Sequence, residues 1–429
     1  MNHTDREILR VALPAIITNI TVPLLGLVDT AIVGHLGSAS YIGAIAVGSM
    51  MFNLIYWVFG FLRMGTSGLT AQAYGRGDWQ DSIRIRRRAA RQALLIALAL
   101  IVLQWPLRWL MLWFIDPTPD VRPLAETYFN IVIWGAPAVL GLYSLTGWFI
   151  GMQNTRTPMR ISISQNIVNI VVSLLLVYVL GMKITGIALG TVIAQYVGLA
   201  MALKAPLPTS PEGEELILKA SPRGGLEGAL NRDIFLRTLC LVAVNLYFTA
   251  AGARQGAVVL AVNTLLMQLY LLFSYILDGF AYAGEALGGR FWGAGDRQAV
   301  SDVVRRLFGW GGAMVVLFTL VYVIGGLPFL RLLTDEPQVV EAARPYVFWA
   351  YLIPAAGVAA FVWDGLFIGF TATRGMLWSS VLAAAVFFAT AEGLVPQWGN
   401  HGLWMAMIVY LLVRGWVQTF IYHWRKPLS

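Results

Sequence analysis

Long apolar runs separated by short polar breaks dominate the chain. Runs of about 20 residues or more fall at 8–33, 41–74, 90–115, 124–151, 159–181 and 185–204, then at 233–253, 257–292, 307–332, 340–369, 376–396 and 401–424. A helix needs roughly 20 residues to cross a hydrocarbon core of about 30 Å. In lipid only a helix or a closed barrel satisfies every backbone N–H and C=O internally. The pattern therefore predicts an all-α polytopic membrane protein of twelve transmembrane helices.

Composition strengthens this reading. Of 429 residues 58% are apolar and only 12% charged, with a mean hydropathy of +0.70, more apolar surface than a soluble fold can hide. Sixteen Trp and 16 Tyr suit the lipid interfaces, and 43 Gly suit close helix packing. The single Cys240 excludes an internal disulfide framework and is expected to be a small buried hydrophobe. The opening "MNHTDREILRVALPAI" lacks the pattern of a cleaved leader and reads as the start of a first span.

Net charge is +8, which would suit nucleic acid, but the positions of the basic residues report topology instead. With the N-terminus inside, twenty-two of the 30 Lys and Arg fall on the cytoplasmic side, among them the "RIRRRAAR" cluster and Arg237. Six fall outside (Arg108, Arg122, Lys183, Arg254, Arg331, Arg344), while Arg63 and Arg414 lie within or near spans. This asymmetry places both termini in the cytoplasm and makes the cluster an anchor at anionic headgroups, with no nucleic-acid partner.

The chain also repeats itself. "AYGRGDWQ" (73–80) matches "FWGAGDRQ" (291–298) at an offset of 218, which also pairs Arg88 with Arg306, Tyr128 with Tyr346 and "GWFIGMQNTR" with "GLFIGFTATR". Each repeat holds six spans, an even number, so both enter the membrane in the same sense, as in many secondary transporters. The expected division is an N-lobe over 1–204, a Pro- and Gly-rich cytoplasmic linker over 205–231, and a C-lobe over 232–429. "GxGD" lacks the Lys and Ser/Thr of a P-loop and no soluble segment is large enough for an ATPase, so transport energy is expected from an ion gradient.

The segments "LPAIITNITVPLLGLVDTAIVGHLG", "FLRMGTSGLTAQAYG", "NIVNIVVS", "AVNTLLMQ", "LDGFAYAGEALGG" and "WDGLFIGFTATR" together resemble the multidrug and toxic compound extrusion (MATE) family, in its DinF-type bacterial branch. The resemblance spans about Arg6 to Trp424. It implies two six-helix lobes around a V-shaped cavity in a bacterial inner membrane, and a monomer among membrane lipids. It also implies export of amphipathic, often cationic drugs or toxins in exchange for H⁺ or Na⁺, with no cofactor beyond that ion.

Several polar residues interrupt the spans. Asp29 falls in the outer half of the first span, where an ionised carboxylate costs several kcal/mol unless it is paired, faces a bundle interior or becomes neutral. It is the candidate proton site, and the resemblance assigns this position to N-lobe coupling. Asn166, Asn169 and Ser173 form one helical stripe that can face Asp29, with Tyr128 and Gln195 as further members of the network. Many relatives carry an acid where this chain has Ser173, which favours a single-carboxylate proton site over a cation cage. Pro14 and Pro23 permit kinks in the first span, and the resemblance favours Pro14 as a bend responsive to protonation. In the C-lobe the candidates are Asn263, Asp278, Glu285 and Asp364, with Arg414 or asparagines as partners of the two aspartates and with Glu285 and Glu392 expected near solvent. The stretch 235–253 of the seventh span carries no acid, against the Na⁺ coupling that the resemblance implies for the NorM-type branch.

The main reading is a proton-coupled multidrug exporter, with a Na⁺-coupled exporter as alternative. A lipid or lipid-linked oligosaccharide flippase shares the architecture but calls for a cluster of Arg and Lys for a pyrophosphate. A prenyl transferase calls for paired acidic Mg²⁺ motifs, which the chain lacks, so no enzyme activity is expected.

Overall fold

The computed structural model describes residues 3–34, 38–206, 224–333 and 336–424. Most of the expected linker, with Lys219 and Arg223, lies outside them, as do Arg425, Lys426 and the side chain of Pro23. Every described element is helical. In the first half these are α1 (His3–Gly34), α2 (Ala39–Val58), α3 (Phe61–Gly75), α4 (Trp79–Val102), α5 (Gln104–Ile115), α6 (Arg122–Val132), α7 (Ala136–Gly151), α8 (Arg156–Leu174) and α9 (Lys183–Lys204). In the second they are α10 (Gly224–Arg254), α11 (Ala257–Ala283), α12 (Gly289–Ala294), α13 (Arg297–Leu333), α14 (Pro337–Ala343), α15 (Val347–Gly369), α16 (Thr373–Trp398) and α17 (Asn400–Trp424). The end of the expected linker is thus the first turns of α10.

Ten stretches among the described residues are long and apolar enough to cross a membrane, or eleven if α4 and α5 form one span. Twelve were expected; α1, 32 residues long, stands outside this set. The run at 90–115 is bent by 71° between α4 and α5. Pro106, in the first turn of α5, has no N–H to continue the ladder from α4. Trp105, Trp109 and Trp113 are exposed along α5, as suits side chains that face lipid.

The chain forms two compact units. One is Ile17–Pro222, the other Met1–Ile16 with Arg223–Ser429. The boundary falls inside α1, so the first sixteen residues pack with the second repeat. Polar contacts account for this: Thr4 donates to Asp302 at 2.7 Å, Asp5 pairs with Arg306 at 3.2 Å, and Glu7 pairs with Arg290 at 3.0 Å.

The repeat is visible in the backbone. Gly77 and Gly295, 218 positions apart, both have positive φ, 70° and 73°. Gln153 and Thr371 share it at 62° and 54°. Asp78 caps α4 by accepting from Asp81 N at 2.8 Å, and Asp296 accepts from Ala299 N at 2.9 Å in the same role. Gly147 presses against the backbone of Arg63 in the first unit, as Gly365 does against Ala281 in the second. Small residues thus set the α3–α7 and α11–α15 crossings at backbone contact.

Candidate functional site

In the first unit, α1 delivers Asp29 to a position only 6% exposed. Its Oδ1 is buried without a hydrogen-bond partner, and among the described residues no Lys, Arg or His pairs with it. A buried carboxylate in that condition is strongly disfavoured as an anion.

The surrounding side chains are neutral and hydrogen-bonding. Tyr128 on α6 lies within electrostatic reach of Asp29 and hydrogen-bonds with Thr191 and Ser49. Its ring fits because position 48 is glycine, where a Cβ would overlap ring carbons. Thr191 on α9 accepts from Asn169 Nδ2 at 3.1 Å and donates to Ile187 O at 3.0 Å. The structure therefore links Tyr128, Thr191 and Asn169 into one chain beside Asp29. Asn169 Oδ1, Ser173 Oγ and Gln195 Oε1 are buried without partners. Ser173 Oγ faces Gly190, and Gln195 Oε1 faces Gly135, each occupying the space that a Cβ would fill.

Asn166, on the same helix, has a different task. Its Nδ2 donates to Thr21 O at 2.9 Å, while Thr21 Oγ1 meets Ser162 Oγ at 2.9 Å and Tyr178 OH donates to Ile32 O at 3.1 Å. These bonds fasten α1 to α8 and its extension on both sides of Asp29. Thr191, Tyr178 and Gly48 were not singled out from sequence. Thr191 sits one turn before Gln195 on α9, so a polar stripe there was the available signal. Pro14 is buried within the helical span of α1 and belongs to the other unit.

In the second unit Asp364 is buried in an ion-pair cluster. Its Oδ2 accepts from both Arg237 and Arg414, and its Oδ1 accepts from Gln418 Nε2 at 2.8 Å. Arg414 was one of the expected partners, asparagines being the other. Arg237, counted from sequence among the cytoplasmic-side basic residues, is a buried member of this cluster, because α10 turns it toward α15 and α17. Glu285 is also corrected, being 1% exposed rather than near solvent, in the π-helical turn Gly284–Gly288. Glu392 is exposed, as expected, and accepts from Tyr247 OH at 2.7 Å. Asp278 is half-buried, with Ser274 Oγ at 3.4 Å. Asn263 exchanges two hydrogen bonds of 2.8 Å with Asn400 and accepts a third from Trp404 Nε1, which makes it a helix fastener.

No group of three or more His, Cys, Asp or Glu placed to hold a metal ion occurs among the described residues. The oxygens near Asp29 are hard donors, suited to a proton, a water or an alkali cation.

The chain matches the MatE family model over residues 14–175 and 234–390. It is 40% identical over 434 residues to the DNA damage-inducible protein F of Escherichia coli (strain K12), covering 99% of this chain and 94% of that one. It is 22% identical over 357 residues to the probable multidrug resistance protein NorM of Thermotoga maritima, covering 79% and 74%. Among solved structures it resembles a crystal structure of MATE in the bent conformation (TM-score 0.88, 16% identity, 99% and 97% coverage). It also resembles the Vibrio cholerae MATE transporter VcmN in the bent form (TM-score 0.85, 18% identity, 99% and 97% coverage). The chain belongs to the MATE family of multidrug efflux transporters, which are membrane carriers and not enzymes.

Proposed function

We propose that this chain exports amphipathic, often cationic compounds in exchange for protons, with Asp29 as the protonation site. In this reading it sits in a bacterial inner membrane with both termini cytoplasmic, and its two six-helix repeats rock to give alternating access. The observation that carries the proposal is the buried carboxylate of Asp29, whose Oδ1 has no hydrogen-bond partner and which no Lys, Arg or His among the described residues pairs with. Such a group takes up a proton more readily than it holds a charge. Neutral partners such as Tyr128 and Asn169 suit both protonation states, because a hydroxyl can donate or accept and an amide offers both functions. Protonation of Asp29 from outside then favours release of substrate there. For a substrate without net charge, one proton crossing 100 mV is worth about 2.3 kcal/mol, enough to sustain a gradient of roughly fifty-fold.

The test is efflux by purified protein in liposomes under an imposed pH gradient, comparing wild type with Asp29→Asn. The expected result is loss of pH-driven efflux with substrate binding retained. Undiminished efflux in the variant would remove Asp29 from coupling.

The buried oxygens of Asn169, Ser173 and Gln195 that lack partners favour a second reading, Na⁺ as the coupling ion of this unit. A Na⁺ gradient at constant pH separates the two. Only one carboxylate is available there, so the proton reading is preferred.

A further inference from the structure

Two buried guanidiniums converge on one carboxylate in the second unit. Arg237 on α10 and Arg414 on α17 are 6% and 2% exposed, and each places a terminal nitrogen on Asp364 Oδ2. Gln418 occupies Oδ1. The three charged residues sum to a formal +1, so one positive charge is not neutralised inside the cluster.

The unused donors point the same way. Arg237 Nε and Arg414 Nε are both buried with no hydrogen-bond partner, as is Gln418 Oε1. A guanidinium offers a planar fork of donors, and leaving such donors unmet in a buried site is costly. Tyr270 and Tyr410 are neutral neighbours: Tyr270 lies within electrostatic reach of Arg414, Asp364 and Asp278, and Tyr410 lies within reach of both arginines and hydrogen-bonds with Arg414. Asp278 is thus the next acid in the neighbourhood, and Ser274 is its hydrogen-bonding neighbour. The Asp364 side chain keeps 11% exposure, more than either arginine.

We propose that Arg237 and Arg414 form a binding site for an oxoanion, the carboxylate, sulfonate or phosphate headgroup of an amphiphilic substrate. Paired arginines are the side chains best suited to such groups, because they donate in a fork and remain charged when desolvated. Asp364 holds the two guanidiniums in register while their Nε edges remain for the ligand. Within the cluster a cationic ligand meets two guanidiniums, and Asp364 is already shared by both. This site deepens the transporter reading by adding a substrate class. It does not depend on Asp29, so its failure and the failure of proton coupling are separate results.

The experiment is equilibrium binding and thermal stability of the purified full chain in a neutral maltoside detergent. The probes are decanesulfonate, decyltrimethylammonium and inorganic sulfate. Decanesulfonate is expected to bind saturably and raise the melting temperature, while decyltrimethylammonium is not. Arg237→Gln and Arg414→Gln should each weaken sulfonate binding about tenfold, the loss of one charge-assisted contact. Asp364→Asn should tighten it about tenfold and should be restored in stability by the anion, since the internal competitor is gone. A response to inorganic sulfate alone supports the site and assigns it a free oxoanion, whereas a response to decanesulfonate alone assigns it an amphiphile. Equal binding of both decyl probes overturns the proposal, as does Asp364→Asn without gain. If the arginine variants fail to fold, the Asp364→Asn comparison decides alone.

Discussion

Asn169 donates its side-chain amide to Thr191 Oγ1 at 3.1 Å and leaves its own carbonyl oxygen buried and unpaired. Thr191 thereby fixes which end of the amide is free, while also hydrogen-bonding with Tyr128. Thr191→Val keeps the shape and removes these two bonds together with the one Thr191 donates to Ile187 O. A net loss of about 1 kcal/mol per hydrogen bond corresponds to roughly five- to tenfold in an equilibrium constant. We expect the pH of half-maximal efflux to shift in Thr191→Val with little change in substrate affinity. A purely structural Thr191 would lower the melting temperature and leave that pH untouched.

Gly48 is the place where a single methyl group reports on Tyr128. A Cβ at this position overlaps the Tyr128 ring, and the ring is itself buried against Phe52. Overpacking of this kind costs about 1–3 kcal/mol. Gly48→Ala should therefore reduce efflux at saturating substrate and lower the melting temperature. A restored melting temperature in Gly48→Ala combined with Tyr128→Leu would locate the clash.

The two repeats offer a matched pair of tests. Gly147 and Gly365 would each bring a Cβ onto the backbone of a neighbouring helix, which cannot move aside as a side chain can. Gly147→Ala and Gly365→Ala are both expected to destabilise by about 1–3 kcal/mol or more. Gly309→Ala and Gly325→Ala on α13 meet open space and gain helix propensity of up to ~1 kcal/mol. Thermal unfolding of the four variants should separate cleanly into these two groups.

Apolar run length was enough to place most spans, because lipid imposes one simple rule on backbone hydrogen bonding. The repeat was equally legible, since Gly77 and Gly295 are needed for the same positive φ in each half. The bend between α4 and α5 was missed because the run at 90–115 has the length of one span, even though Gln104, Pro106 and Arg108 interrupt it. Asp29 stood out as an acid in an apolar helix, and the stripe from Asn166 to Ser173 followed from helical spacing. Which members of the stripe do which job was not legible: Asn166 serves the α1 backbone and Asn169 serves Thr191. The pairing of Arg237 with Asp364 was not legible, because charge counts along a chain do not tell which way a helix-end residue turns. The joining of residues 1–16 to the second repeat depends on acids meeting distant arginines, Asp5 with Arg306 and Glu7 with Arg290, and no local pattern encodes that.

Asn263 and Asn400 supply a final test, of packing as distinct from coupling. Each amide donates to the other at 2.8 Å, and Trp404 Nε1 donates to Asn263 Oδ1, all three residues being buried. Asn263→Leu strands the Asn400 amide and the indole N–H, and a buried unsatisfied group costs about 1–3 kcal/mol. Replacing both asparagines removes the amide left unpaired by the first change, so the double variant Asn263→Leu with Asn400→Leu should cost less than the sum of the singles. Melting temperatures of the four proteins in the cycle measure that coupling. The pH dependence of efflux should be the same in all of them, because these amides fasten α11 to α17 and touch neither Asp29 nor Asp364. A shift in that pH dependence would instead bring Asn263 into the transport mechanism.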